Sequence, residues 1–327
     1  MGTRDNGGTE PLVSVIVPTY GRDANHFRAA LRSVFAQTHW SLEVIVVDDA
    51  PTPVALPEDP PVPIRRIRAD HDGVAAARNS GIEAADGAFL AFLDDDDRWR
   101  PRKIERQIAA LREGGPAVSV VVSGQQFVDG ADEPIGTAAP SVDGDATVDL
   151  LCGRVNVAFS TLLVRMSAVE AAGGLDERFA AWEDLEWCLR LSTVGEFRSV
   201  SAPLVVRRDG EHDQLTDDFP EMRDCAYPLF LEKHRQLAAE HGPTVERQFV
   251  AALSRLLGGE GLDNGHYTDA RRYLWRSIRH DPRSPATYLY FLLSLGGRYT
   301  YQPAKALKRR LAAGGRTAGT IPTEGTH

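Results

Sequence analysis

Residues 92–99 read Phe-Leu-Asp-Asp-Asp-Asp-Arg-Trp, four adjacent carboxylates directly behind an apolar, strand-like stretch at 88–93. Adjacent like charges repel and raise one another's pKa, so an ionised cluster at a strand end calls for a counter-ion. Oxygen-only ligands favour Mg²⁺ or Mn²⁺. Taken alone, the run reads equally as a solvated loop with one residue capping the next helix. Two more polar sets follow apolar runs: Pro18-Thr19-Tyr20-Gly21-Arg22 after 13–17, and Asp48-Asp49 after 42–47. In an open parallel sheet, ligands gather beyond the carboxyl ends of the strands, so the three sets are expected to converge on one crevice. A carboxylate there can accept from a uracil or thymine imide N–H or from ribose hydroxyls, while a metal held by another neutralises a diphosphate. Such chemistry suits a nucleotide-sugar site. Asp49 by itself also reads as a turn-former ahead of Pro51.

These side chains need a scaffold, and the pattern from residue 13 onward supplies one. Short β-branched runs alternate with amphipathic stretches, the pattern of a parallel sheet covered by helices. Strands are expected at 13–17, 42–47, 64–68, 89–93 and 118–122. Phe27, Ala30, Leu31, Val34 and Phe35 recur at helical spacing, and residues 74–85 form an Ala-rich helix. Pro51, Pro53, Pro57, Pro60, Pro61 and Pro63 make the connection at 50–63 extended coil. Pro101 suits the first turn of the next helix, a start that Asp97 would favour. Residues 125–148 read as a loop insertion, with regular structure resuming at 160–165. From about residue 220 the pattern is purely helical, with helices at 249–257, 267–280 and 286–295. The expected organisation is a disordered tail at 1–10, an α/β domain at 11–219 divided at 124/125, and a helical region at 220–327.

Composition narrows the partners. The chain has 327 residues, 43% hydrophobic and 25% charged, enough for one large domain and an appendage. A net charge of −9 argues against a general nucleic-acid binder, which needs a basic surface. Cys152, Cys188 and Cys225 are widely spaced, indicating neither a disulfide framework nor a thiolate zinc site, and a reduced cytoplasm is the expected location. The polar start lacks the apolar core of a signal peptide, and no apolar run approaches the ~20 residues of a membrane span.

Five ordered motifs, Val13-Ser-Val-Ile-Val-Pro-Thr-Tyr20, Ser33-Val-Phe-Ala-Gln-Thr38, Glu43-Val-Ile-Val-Val-Asp-Asp49, Ala77-Arg-Asn-Ser-Gly81 and Phe92-Leu-Asp-Asp-Asp-Asp97, together resemble a family 2 glycosyltransferase. The resemblance covers roughly residues 11–215. It implies the glycosyltransferase A fold: a Rossmann-like, mostly parallel central sheet flanked by helices, with a nucleotide-binding half and an acceptor-binding half. It further implies a nucleotide-diphosphate sugar donor, Mg²⁺ or Mn²⁺, and transfer with inversion to a glycan, polysaccharide or lipid-linked hydroxyl.

Position by position, the resemblance makes Pro18, Thr19, Tyr20 and Arg22 part of the nucleotide-sugar site, with Pro18 and Tyr20 lining the base pocket. Asp49 would bind the base, uracil being most expected, and Asp48 would support it. Arg78 would face the diphosphate or brace the helix that does. Asp94 and Asp96 match the acidic positions of the Asp-x-Asp motif, with Asp96 the direct metal ligand and Asp95 on ribose or ligand water. Gly174-Leu-Asp-Glu-Arg-Phe179 and Trp182-Glu-Asp-Leu-Glu-Trp187 resemble the acceptor-side motif, which makes Asp184 the catalytic base and Glu183 its neighbour. Read without the resemblance, residues 183 and 184 are acids in the first turn of a helix at 185–193. His212 falls where related enzymes place a loop histidine near the metal or diphosphate. Arg207 and Arg208 are equal candidates for the diphosphate, or merely solvated charges.

Two departures stand out. Ala50-Pro51-Thr52-Pro53 replaces the usual small residue, serine and acid, reshaping the loop over base or ribose. The Pro-rich connection also replaces a helix often present there. Lys305, Lys308, Arg309, Arg310 and Arg316 follow an apolar patch at 288–295, which reads as peripheral contact with anionic lipid at the inner membrane face or, equally, as a solvated helix with a frayed tail. Two competing functions differ in testable ways. A sugar-1-phosphate nucleotidyltransferase needs a Gly-rich, Arg-containing triphosphate loop after the first strand, which residues 18–22 lack. A non-catalytic glycan-binding or assembly subunit would have no use for carboxylates at Asp96 and Asp184.

Overall fold

The structure, a computed structural model, describes residues 10–69, 73–155, 157–208 and 218–314, with side chains to residue 307. Two compact units divide the chain: residues up to 125 with 138–207, and 126–137 with 208 onward.

Up to residue 208 the elements run β1 Val13–Thr19, α1 Ala24–Phe35, β2 Leu42–Asp48, β3 Ile64–Arg68, α2 Val74–Glu83, β4 Phe89–Phe92, β5 Arg98–Trp99, α3 Lys103–Gly114 and β6 Val118–Val128. They continue with β7 Pro134–Ala138, α4 Thr147–Leu151, β8 Leu162–Arg165, α5 Met166–Ala172, α6 Glu183–Ser192 and β9 Glu196–Arg208. The path through the sheet is β3-β2-β1-β4-β8-β6-β9-β5, with β7 paired to β6. Strands β1 and β2 are buried almost throughout, because a sheet covered on both faces selects continuous Val and Ile runs. Their core includes Phe27, Leu31 and Val34 of α1 and Ile104, Ile108 and Leu111 of α3.

Three of the expected features differ in the structure. Parallel pairing joins β3, β2, β1 and β4, but β8 runs antiparallel to both β4 and β6 and β5 runs antiparallel to β9, so the sheet is mixed. The 125–148 segment is not merely a loop: β6 runs on to Val128, β7 follows, and Asp129 Oδ1 accepts the N–H groups of Ala131 and Glu133 at the turn. A polar turn and an exposed short strand hide the period-2 apolar signal that identified the other strands. Helix α3 begins at Lys103, beyond β5, so Asp97 does not start it.

The second unit carries α7 Phe219–Glu221, a π-helical turn at 222–226, α8 Tyr227–Glu240, α9 Pro243–Asp263, α10 Tyr267–His280, α11 Pro285–Leu295 and α12 Arg298–Gly314. Phe230 packs on Phe249, Tyr227 shares a hydrogen bond with Ser254, and Leu262, Ala270, Leu274 and Tyr301 form a buried cluster. Among the described residues no helix is long and apolar enough to cross a membrane.

Candidate active site

Strand order 3-2-1-4 reverses direction between β1 and β4, the switch point where an open sheet opens a crevice. Two loops meet across it: Thr19 Oγ1, closing β1, donates to Asp95 Oδ2 at 2.6 Å, and the same hydroxyl accepts the Gly21 N–H. Gly21 has φ +69°, and a Cβ there would stand 2.7 Å from Ala50 Cβ, so the β1 turn closes against the β2 turn only with glycine. Pro18 is half-buried, Tyr20 is 44% exposed, and Arg22 lies over the Tyr20 ring. Tyr20 hydrogen-bonds Asp49; partial burial and that carboxylate raise the phenol pKa.

Asp48 and Asp49 are both buried but do different things. Asp48 accepts the N–H groups of Ala50 and Val54, and Arg66 and Arg68 pair with it. It therefore folds the Pro-rich loop where a helix would otherwise satisfy those groups. Asp49 is 2% exposed and faces Tyr20.

The carboxylates after β4 are crowded. Asp94 is held from behind by its N–H on Ser160 Oγ at 3.1 Å. Burial, then the charges of Asp96 and Asp94, lifts Asp95 to about 6 against the Thr19 hydrogen bond. Desolvation and Asp94 also raise Asp96, although this residue is solvent-exposed. Asp97 is 2% exposed; burial and its acidic neighbours raise it well above the usual range, and Ser160 bonds it.

Arg78, on α2, ties this cluster to α6. Its guanidinium reaches Asp94 Oδ1 at 2.9 Å and Glu183 Oε1 at 2.8 Å and lies 4.0 Å over the Phe159 ring. Its Nε is buried without a partner. Beneath the bridge, Phe92, Phe159 and Trp187 pack with centroids 4.9–5.9 Å apart, fastening α6 to the end of β4. Asn79 exchanges two hydrogen bonds with Leu175, and Arg190 pairs with fully buried Glu186 while donating to Ala172 O and Gly174 O. The Gly174–Phe179 motif is thus the strap that holds α2 and α6 together.

Trp182, the residue before α6, has φ +64°, an uncommon conformation for a bulky residue, and its indole N–H is buried without an acceptor. Backbone strain of this kind concentrates at functional sites. The turn delivers Glu183 and Asp184 to the α6 N-terminus. Burial lifts Glu183 to about 7 despite Arg78, with Asp184 adding to the rise. Burial also raises Asp184, opposed by the Leu185 N–H on its Oδ1 and by Arg78 and Arg207.

The two adjacent arginines part here. Arg207 lowers Asp96, Asp97 and Asp184 electrostatically and so belongs to the carboxylate cluster, whereas Arg208 pairs with Asp132 at 2.6 Å. Alternation along β9 separates them, which the Arg-Arg dipeptide could not reveal. Ser160, likewise absent from the sequence motifs, carried no signal at all. His212 lies outside the described residues. Among the described residues no three His, Cys, Asp or Glu side chains converge on one cation position.

Residues 14–151 match the model of glycosyl transferase family 2. An uncharacterized glycosyltransferase of Nostoc sp. is 35% identical over 152 residues, 43% of this chain and 46% of the relative. The succinoglycan biosynthesis protein ExoW of Rhizobium meliloti is 40% identical over 97 residues, 27% of this chain and 30% of that protein. The chain thus spans less than half the length of either relative. The crystal structure of S. aureus TarS 1-349 superposes with a TM-score of 0.56 at 16% identity, covering 94% of this chain and 93% of TarS; a second, in complex with UDP-GlcNAc, gives 0.52 at 16% identity, covering 92% and 87%. TarS shares the fold, and residues 14–151, which carry the ordered motifs, form a glycosyl transferase family 2 domain.

Proposed function

We propose that the protein is a metal-dependent inverting glycosyltransferase that moves a sugar from a nucleotide diphosphate, a UDP-sugar above all, to a hydroxyl of an envelope glycan or lipid-linked acceptor. The observation that carries this reading is the Arg78 bridge, which holds the α6 carboxylates beside the Asp94–Asp97 run. Succinoglycan assembly by a relative and the UDP-GlcNAc complex of TarS support the acceptor and donor classes.

In this reading Tyr20 and Asp49 receive the base and Asp95 the ribose. Asp94 and Asp96 would hold Mg²⁺ or Mn²⁺, which supplies positive charge to the departing diphosphate. Asp184 takes the acceptor hydroxyl's proton as its oxygen attacks the anomeric carbon from the face opposite the leaving nucleotide. Glu183, held by Arg78, orients that turn of α6, and Arg207 offers a second positive charge at the cluster. Leu289, Leu292, Leu295 and Tyr299 are exposed on α11 and α12, and peripheral contact with anionic lipid at the cytoplasmic face is proposed for this basic end of the chain; Lys305 pairs with Asp263, and Lys308, Arg309, Arg310 and Arg316 lie outside the residues whose side chains are described.

Calorimetric titration of UDP with and without Mn²⁺, followed by a donor-hydrolysis screen across nucleotide sugars, tests the reading. Mn²⁺-dependent UDP binding with hydrolysis of one donor is expected. Metal-independent or absent binding would sink it.

A further inference from the structure

The backbone carbonyls of Ser160, Thr161 and Leu162 each accept from a different side chain of the segment that follows the acid run. Trp99 Nε1 donates to Ser160 O at 2.9 Å, Gln107 Nε2 to Thr161 O at 2.8 Å and Lys103 Nζ to Leu162 O at 3.2 Å. Lys103 and Gln107 stand one turn apart on α3 and join each other at 2.8 Å, while Gln107 Nε2 also donates to Val121 O of β6. Lys103, Gln107 and Ser160 are all 0% exposed. Residues Phe159–Thr161 form a 3₁₀ turn leading into β8, and buried turn carbonyls, which lack ladder partners, must find donors elsewhere.

The same turn closes on the acids. Ser160 Oγ accepts the Asp94 N–H at 3.1 Å and donates to the Asp97 carboxylate, and the Asp97 N–H returns to Asp94 O at 3.0 Å. One buried hydroxyl thus closes a ring of hydrogen bonds around both ends of the run.

Lys103 is the informative member. Its contacts are Gln107 Oε1, Leu162 O and the Trp99 ring, 4.1 Å away, with no carboxylate among them. Desolvation pulls its amine well below the ordinary lysine value. Burying an amine without a counter-charge is costly, and an apolar side chain would fill the same space without that cost. What the amine adds is direction: a donor aimed at one carbonyl of the turn, in surroundings where a hydrogen bond is stronger than in water.

We propose that Ser160 is a positioning residue for the acid run, and that Trp99, Lys103 and Gln107 hold it in place by gripping the three carbonyls of its turn. The acids repel one another, so their spacing is set by this grip and not by mutual contact. The grip stands on geometry; its consequence for sugar transfer rests on the function proposed above.

Hydrogen exchange read by mass spectrometry on the full chain, beside a thermal melt and hydrolysis kinetics with a panel of UDP-sugars, tests this. Ser160→Ala should speed exchange at amides 94–97 ~10-fold, about the effect of one buried hydrogen bond, while the amides of β1 and β2 keep their rates. Gln107→Leu touches neither acid and should speed the same amides, which the loss of a side chain that merely fills the core would not do. In Ser160→Ala, kcat for the best-hydrolysed UDP-sugar should fall at least ~10-fold with KM changed less, because displaced groups cost alignment more than binding. Unaltered exchange at 94–97 in either variant overturns the grip, with Ser160→Ala deciding alone where the melt shows Gln107→Leu unfolded. Wild-type kcat in Ser160→Ala together with faster exchange overturns the positioning role. A wild-type protein that hydrolyses no nucleotide sugar sinks the proposed function, and the exchange rates then decide the grip by themselves.

Discussion

Arg78 Nη1 donates to Glu183 Oε1 at 2.8 Å across 105 positions of sequence, while its Nη2 holds Asp94, so one guanidinium joins the two acidic motifs. Taking this cation away leaves Glu183, 8% exposed, facing a partly buried carboxylate. Arg78→Met should therefore lower stability by about 3 kcal/mol, the low end for breaking a buried pair because Asp94 is a third exposed. Urea denaturation measures this, and adding Glu183→Gln to Arg78→Met should recover part of the loss. An additive double mutant would show that the bridge is not coupled.

Glu183 also predicts a pH dependence. Its ordinary pKa of 4.5 rises to about 7 in the fold, so the folded chain keeps this proton more tightly than the unfolded one. The resulting stability is complete below about 4.5 and drains away as pH climbs to about 7. Calorimetric melting temperatures should fall from pH 5 to pH 8, and Glu183→Gln should flatten that slope. Parallel slopes for both proteins would remove Glu183 from the account.

Asp184→Asn keeps the acceptor for the Leu185 N–H and abolishes basicity. Transfer should drop about 10²- to 10⁴-fold, the usual contribution of general-base catalysis, with UDP affinity retained. Wild-type turnover in this variant would assign the proton to another group.

Stripping divalent cations with a chelator should weaken UDP binding at least ~10-fold, about 1.4 kcal/mol, and Mn²⁺ should restore it. Asp96→Ala should shift the Mn²⁺ requirement upward without altering the melting temperature of the metal-free protein, since the side chain is exposed. A variant with unchanged metal dependence would exclude Asp96 as ligand.

Gly81 sits on the face of α2 that meets β1, and a Cβ there would stand 2.6 Å from Ile16 Cγ2. Gly81→Ala should cost about 1–3 kcal/mol through overpacking and loosen the helix that carries Arg78. Equilibrium unfolding reads the cost, and a neutral result would mean that α2 shifts freely.

The centre of the sheet was legible in the chain because burial on both faces writes itself as continuous apolar runs, and strands β1, β2 and β4 fell where those runs are. The helix α10 bounds, Tyr267–His280, agreed for a similar reason: its apolar stripe is clean. Strand β7 escaped notice because its half-exposed residues carry no alternation.

Motif order by itself marked the family 2 domain and the acids that close strands β1, β2 and β4, since the residues at strand ends follow local pattern. Tertiary structure decided what those acids do. It spent Asp48 on a loop, buried Asp97, divided Arg207 from Arg208 and brought Arg78 between two motifs far apart in sequence. Charge pairing and burial depend on distances through space, and a linear pattern holds no record of them.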